Sequence, residues 1–109
     1  ITVLTPGGNT MVFSDEDEAI TITDQNNNKI EMNSSGISME SPSSINIKAT
    51  EEVSIQGATI SINGDQSISA SGGTVDISAD MSASLKGSAE CAISSDGNLT
   101  AKGLMVMIN

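Results

Sequence analysis

From Ile45 onward, apolar and polar positions alternate, and the alternation comes in packets. Pairs of apolar or small residues recur at Ile45/Ile47, Val53/Ile55, Ile60/Ile62, Ile68/Ala70, Val75/Ile77, Ala83/Leu85, Cys91/Ile93 and Leu99/Ala101, and Met107 opens a further packet. Their starts step by 8, 7, 8, 7, 8, 8, 8 and 8 residues. Period-two alternation is the signature of a strand. A step of eight predicts a strand of about five residues plus a tight corner, repeated. The inward positions are odd-numbered from 45 to 55, even from 60 to 72, and odd again from 75 onward. A one-residue slip turns every side chain to the other face. Both shifts fall on small residues, "GAT" (57–59) and "SGGT" (71–74), where the backbone can accommodate a shortened corner.

The first 42 residues carry a longer unit. "ITVLTPGGNTMVF" (1–13) aligns without gaps on "ITITDQNNNKIEM" (20–32), an offset of 19. Ile1, Val3, Met11 and Phe13 fall on Ile20, Ile22, Ile30 and Met32. "TPGGN" and "DQNNN" have turn chemistry, so each unit predicts a β-hairpin. "SDEDE" (14–18) links the two, and "NSSG" (33–36) turns into a further strand, "ISME". Alternation alone leaves open which face of residues 1–42 points inward. No 3.6-residue periodicity persists anywhere, so the fold class predicted is all-β.

Repeated five-residue strands with short corners suggest a β-solenoid. Common single-chain coils use about 20 residues or more, so the octad region would supply only about three coils, few for a repeat protein. Three chains wrapped about one axis fit better. Each octad then forms one side of a triangular prism, each chain contributes about two inward residues per side, and neighbouring chains cover every lateral edge.

Composition sharpens that picture. Ile, Val, Leu and Phe make up 24 of the 109 residues and Phe13 is the sole aromatic, a thin supply for a globular core. With 14 acidic residues, 4 lysines and a net charge of −10, the chain has little to neutralise phosphates with, which argues against nucleic acid as a partner. It argues equally against docking on an anionic membrane surface. No stretch approaches the roughly 20 apolar residues of a membrane span, so no stable membrane insertion is expected. Ile1 rather than Met opens the sequence, which reads as part of something longer.

Candidate chemistry is sparse. Asp15–Glu18 could offer oxygen ligands to calcium, but the EF-hand spacing is missing and a solvated acidic linker is the plain reading. Cys91 lies on the inward phase and reads as a small packed residue. It has no histidine base. The many serines lack a GxSxG elbow. Carboxylate pairs for glycoside cleavage would want aromatic sugar platforms, and Trp and Tyr are absent. No enzyme activity, cofactor or bound metal is expected. The most unusual stretch is "LTAKGLMVMIN" (99–109), in which Leu104 to Ile108 are all apolar. Termini are usually polar and frayed. Such a run reads as a docking patch, or as core closure by Met105 and Met107, which would leave Val106 facing outward.

A chain running "TPGGNTMVFSDEDEAITITDQNNNKIEM", then Ser/Ile-rich octads, then "LTAKGLMVMIN" resembles the C-terminal spike of VgrG proteins. These are the central spikes of type VI secretion and related contractile injection systems, akin to phage tail spikes. The resemblance implies an intertwined homotrimeric triangular β-helix over 43–109, preceded by a hairpin region at 1–42 leading from an N-terminal hub that joins the tail tube. It implies a needle that helps pierce target envelopes, assembled in the bacterial cytoplasm and then ejected. It also implies a PAAR-repeat tip protein seated on Leu104, Met105, Val106, Met107, Ile108 and Asn109. Some phage spikes of this broad group end in a tip where histidines bind iron. This chain has no histidine, which excludes that chemistry. The alternatives are the β-helical stalk of a trimeric adhesin or phage fibre, and a polysaccharide-degrading enzyme. The apolar terminus disfavours the former, and the lack of His, Trp and Tyr disfavours the latter.

Overall fold

A computed structural model describes residues 1–109. Five strands form one antiparallel sheet in chain order: β1 (Thr2–Leu4), β2 (Thr10–Ser14), β3 (Ala19–Thr23), β4 (Lys29–Asn33) and β5 (Gly36–Glu40). There is no helix. The chain divides into two compact units, Ile1–Ile60 and Ser61–Asn109.

The offset-19 repeat is a repeat of hydrogen bonds as well as of letters. In the first loop Thr5 N–H donates to the Asn9 carbonyl at 2.9 Å, and Gly8 N–H to the Thr5 carbonyl at 3.0 Å. In the second, Asp24 N–H donates to the Asn28 carbonyl at 3.1 Å, and Asn27 N–H to the Asp24 carbonyl at 3.2 Å. Both loops need one left-handed residue, supplied by Gly8 (φ 101°) and Asn27 (φ 68°), the two residue types that tolerate it best. The side chains repeat too. Asn9 N–H donates to Thr5 Oγ1, and Asn28 N–H to Asp24 Oδ1. The loops are stapled together by Gln25 N–H donating to Asn9 Oδ1 at 2.9 Å.

The acidic stretch 14–18 does more than link two hairpins. β2 and β3 pair in full, so it is itself a hairpin loop, and the two units fuse into a single sheet. Ser14 Oγ donates to Asp17 Oδ2 and accepts from Asp17 N–H, while Glu18 takes the left-handed position at φ 51°.

The register settles the faces of the sheet. One face carries two apolar rows: Val3–Met11–Ile22–Ile30–Met39, and Phe13–Ile20–Met32–Ile37. Ile1 joins the second row, since Phe13 N–H donates to its carbonyl. The other face carries Thr2–Val12–Thr21–Glu31–Ser38 and Leu4–Thr10–Thr23–Lys29–Glu40, mostly polar. Ile45, the first octad position, lines a groove of about 190 Å³ with Ile30 and Met39.

Beyond Glu40 the alternating sequence does not pair with itself. The strands expected there have no ladder within the chain: no backbone–backbone hydrogen bond reaches past β5. From residue 44 onward one hydrogen bond remains, Gly97 N–H to Ser95 Oγ. The corners, however, are all present. The chain bends at 42–43, 50–51, 58, 65–66, 73, 80–81, 88–89, 96–97 and 104–105. Each bend lies just before one of the apolar packets, and the two one-residue bends, Ala58 and Gly73, fall inside "GAT" and "SGGT". At Gly64 and Gly87 an added Cβ would overlap the carbonyl oxygens of Ser67 and Glu90, so these two-residue corners require glycine at their entry. Every second corner carries an acid, namely Glu51, Asp65, Asp80 and Asp96, and the corners between them carry none.

Candidate interaction surfaces

No apolar side chain is buried in a single chain. On the sheet, Phe13 keeps 41% and Ile37 74% of its surface exposed. In the octads the first member of a pair is about half exposed and its partner more so, as for Ile45 and Ile47 or Val53 and Ile55. Cys91 is exposed with them. The chain of 11.1 kDa exposes 10967 Å², about twice the ~5,700 Å² expected of a compact monomer of that mass. The excess, on the order of 5,000 Å² per chain, is of the size that obligate interfaces bury. An unpaired extended backbone adds to the demand. Folded proteins make about one intramolecular hydrogen bond per residue, and residues 44–109 make a single one within the chain.

Three surfaces therefore stand open: the apolar face of the sheet, the octad positions, and the segment 104–109. The sheet face is grooved. Phe13, Ile20 and Met32 line a groove of about 440 Å³ whose rim includes Asp15 and Glu18, and Val3, Met11 and Ile22 line another of about 310 Å³. In the segment expected to dock a partner, Leu104 and Met105 form the last corner. Leu104 is fully exposed and Asn109 is exposed, as are Met105, Met107 and Ile108, while Val106 at 55% is the least exposed of the apolar five. Alternation groups Met107 with the inward set, yet Val106 is the more covered of the two. The structure brings these six residues together only as neighbours in sequence.

The polar face of the sheet holds its own network, which alternation did not reveal. Lys29 Nζ meets Glu31 Oε2 at 2.8 Å, and Asn33 Nδ2 donates to Glu31 Oε1 at 2.7 Å. The hydrogen bond from Lys29 and its charge hold the Glu31 carboxyl below its usual range and raise the Lys29 ammonium in return. The signal was present as polar residues at 29, 31 and 33, every second position of β4. Solvent screens such a pair, and its role is to mark the wet face. The four acids of the 14–18 loop and its neighbours do not gather into a metal-ligating group. Lys48, Lys86 and Lys102 are exposed.

Two extended surfaces that one chain cannot cover, on a backbone that one chain cannot pair, describe part of an obligate assembly. A comparison with curated protein sequences finds no match. The family profile of the phage baseplate V C-terminal trimerisation domain matches residues 1–109, the whole chain. The chain therefore assembles as a homotrimer and belongs to the phage baseplate V C-terminal trimerisation family.

Proposed function

We propose that this trimerisation domain is the needle of a VgrG-type central spike in a contractile injection system. Three copies intertwine over residues 43–109 as a triangular β-helix, with the sheets of residues 1–42 between the needle and a hub that joins the tail tube. The observation that carries this reading is the series of nine bends, spaced by octads, along a backbone with almost no hydrogen bonds of its own. A chain of that kind gains its pairing and its core only by wrapping with others. Continuous pairing between chains and a dry core would give the stiffness needed to transmit contraction force and help pierce an envelope. No catalytic role is assigned to any residue. The spike would be assembled in the bacterial cytoplasm and ejected on contraction.

The tip reading rests on the exposure of Leu104, Met105, Met107 and Ile108. Three copies of Leu104–Asn109 would make an apolar threefold platform of the kind that binds a partner, here a PAAR-repeat tip protein. Aspartate placed at Met105 and Met107 should leave the trimer intact by light scattering. It should weaken binding of the injection system's PAAR-repeat protein by at least about a hundredfold, the loss of about 2.7 kcal/mol. An unchanged affinity in a variant that is still trimeric would remove the platform.

A further inference from the structure

A strictly periodic octad spike has a weakness. If every corner were alike, one chain could shift by a whole octad against its two neighbours. All its apolar residues would still face inward, and only the pairing of one overhanging octad would be lost. Register is weakly specified wherever neighbouring alignments are near-equivalent. The octads of this chain differ little from one another in pattern, so composition does not remove the ambiguity.

The corners do. Seven of the nine bends span two residues, and those at Ala58 and Gly73 span one. We propose that these two short corners are register keys. They act within the trimeric spike proposed above, in which equivalent corners of the three chains share a level. In register, one-residue corners meet one-residue corners. A slip of one octad sets short corners against long ones at four levels, a slip of three does so at three, and a slip of two does so at two, because Ala58 then lies level with Gly73. At each mismatched level the slipped chain enters its next strand one residue out of step with its neighbours, and the pairing there must bulge or break. The keys lie in the first half of the octad series, where an error would propagate along all the corners that follow. Neither short corner is forced by crowding at its own glycine. A Cβ at Gly73 meets nothing within 4 Å, and one at Gly57, beside Ala58, meets the Thr59 carbonyl oxygen at 3.3 Å, with Thr59 N and Ile60 Cγ1 at 3.9 Å. Side-chain crowding therefore does not account for the short corner at Gly73. Specificity of this kind is a device against competing alignments and adds no new attraction.

The test restores uniform corners. One serine is inserted after Ala58, another after Gly73, and both together, each in the full chain with Cys91→Ser and Lys86→Cys carrying a nitroxide. After unfolding and refolding, light scattering reads the number of chains and pulsed electron resonance reads the interchain distances at position 86. The parent should give three chains and one distance. The double insertion should give three chains with further distances beside the parent's single one, the slipped fraction rising several-fold over the parent and the two-octad slip dominating in neither single insertion. Each single insertion retains one key and should fall between parent and double. Should the double insertion fail to trimerise, the single insertions decide: a slipped fraction above the parent's supports the keys. A single distance in every trimeric variant overturns them. A parent chain that is not trimeric would instead overturn the spike itself, so the two failures are distinguishable.

Discussion

Asp24 holds the second hairpin loop by accepting from Asn26 N–H and Asn28 N–H, both at 2.9 Å, and from the Asn28 side-chain amide at 2.9 Å. Thr5, its counterpart nineteen residues earlier, does the same work with one neutral oxygen. The difference makes the second loop sensitive to acid. The Asn28 side-chain bond, then its backbone bond, pulls the Asp24 carboxyl below its ordinary value of 3.8. A depressed carboxylate contributes stability that is present above its unfolded value and lost as pH falls through its folded one. Asp24→Ala should therefore lower the melting temperature at pH 7. The gap from the parent should stay constant down to about pH 4 and shrink below 3.8. Melting curves of both proteins across that range check it, and a gap that widened on acidification would show that the charge opposes the fold.

At the scale of elements, the sheet and the octads solve one problem in two ways. The sheet pairs within the chain and leaves one apolar face open, whereas the octads leave both pairing and packing to other copies. A carboxylate set into the apolar rows should break the assembly, at several kcal/mol per chain for an unpaired buried charge. Ile22→Glu should yield lower mass by light scattering. Thr23→Glu, one residue along on the polar face and opposite Lys29, should remain trimeric. Equal behaviour of the two would mean that the apolar face is not the one covered. Much of this was legible in the sequence. The apolar packets gave the corners to within a residue, and the phase shifts at "GAT" and "SGGT" marked the two that are short. The faces of residues 1–42 were not legible, because two hairpins can each alternate correctly and still face opposite ways. What joins them is the Ser14–Asp17 turn, and an acidic run looks the same in a solvated linker as in a tight loop. The alternate placement of Glu51, Asp65, Asp80 and Asp96 also acquires a reason only in a stack. Strands lie about 4.8 Å apart, so an uncharged corner between each two acidic ones roughly doubles the distance between like charges.

For the whole molecule, three copies of a chain with a net charge of −10 place a dense negative charge on one trimer. Its self-repulsion opposes assembly, and salt relieves it, since the screening length falls from about 30 Å at 0.01 M to about 8 Å at 0.15 M. The melting temperature of the trimer should rise over that range of sodium chloride, and a fall would show that attractive ion pairs between chains outweigh the repulsion. A further consequence follows from the backbone that cannot pair with itself beyond β5. A newly synthesised copy can complete its sheet alone but must wait, with its octads bare, until two sisters arrive. Folding of the octad region then depends on how many copies are made together. Dilution unfolds what concentration stabilises. During that wait the chain's negative charge acts as a guard, holding unfinished copies in solution and away from one another's exposed strands until three can close together.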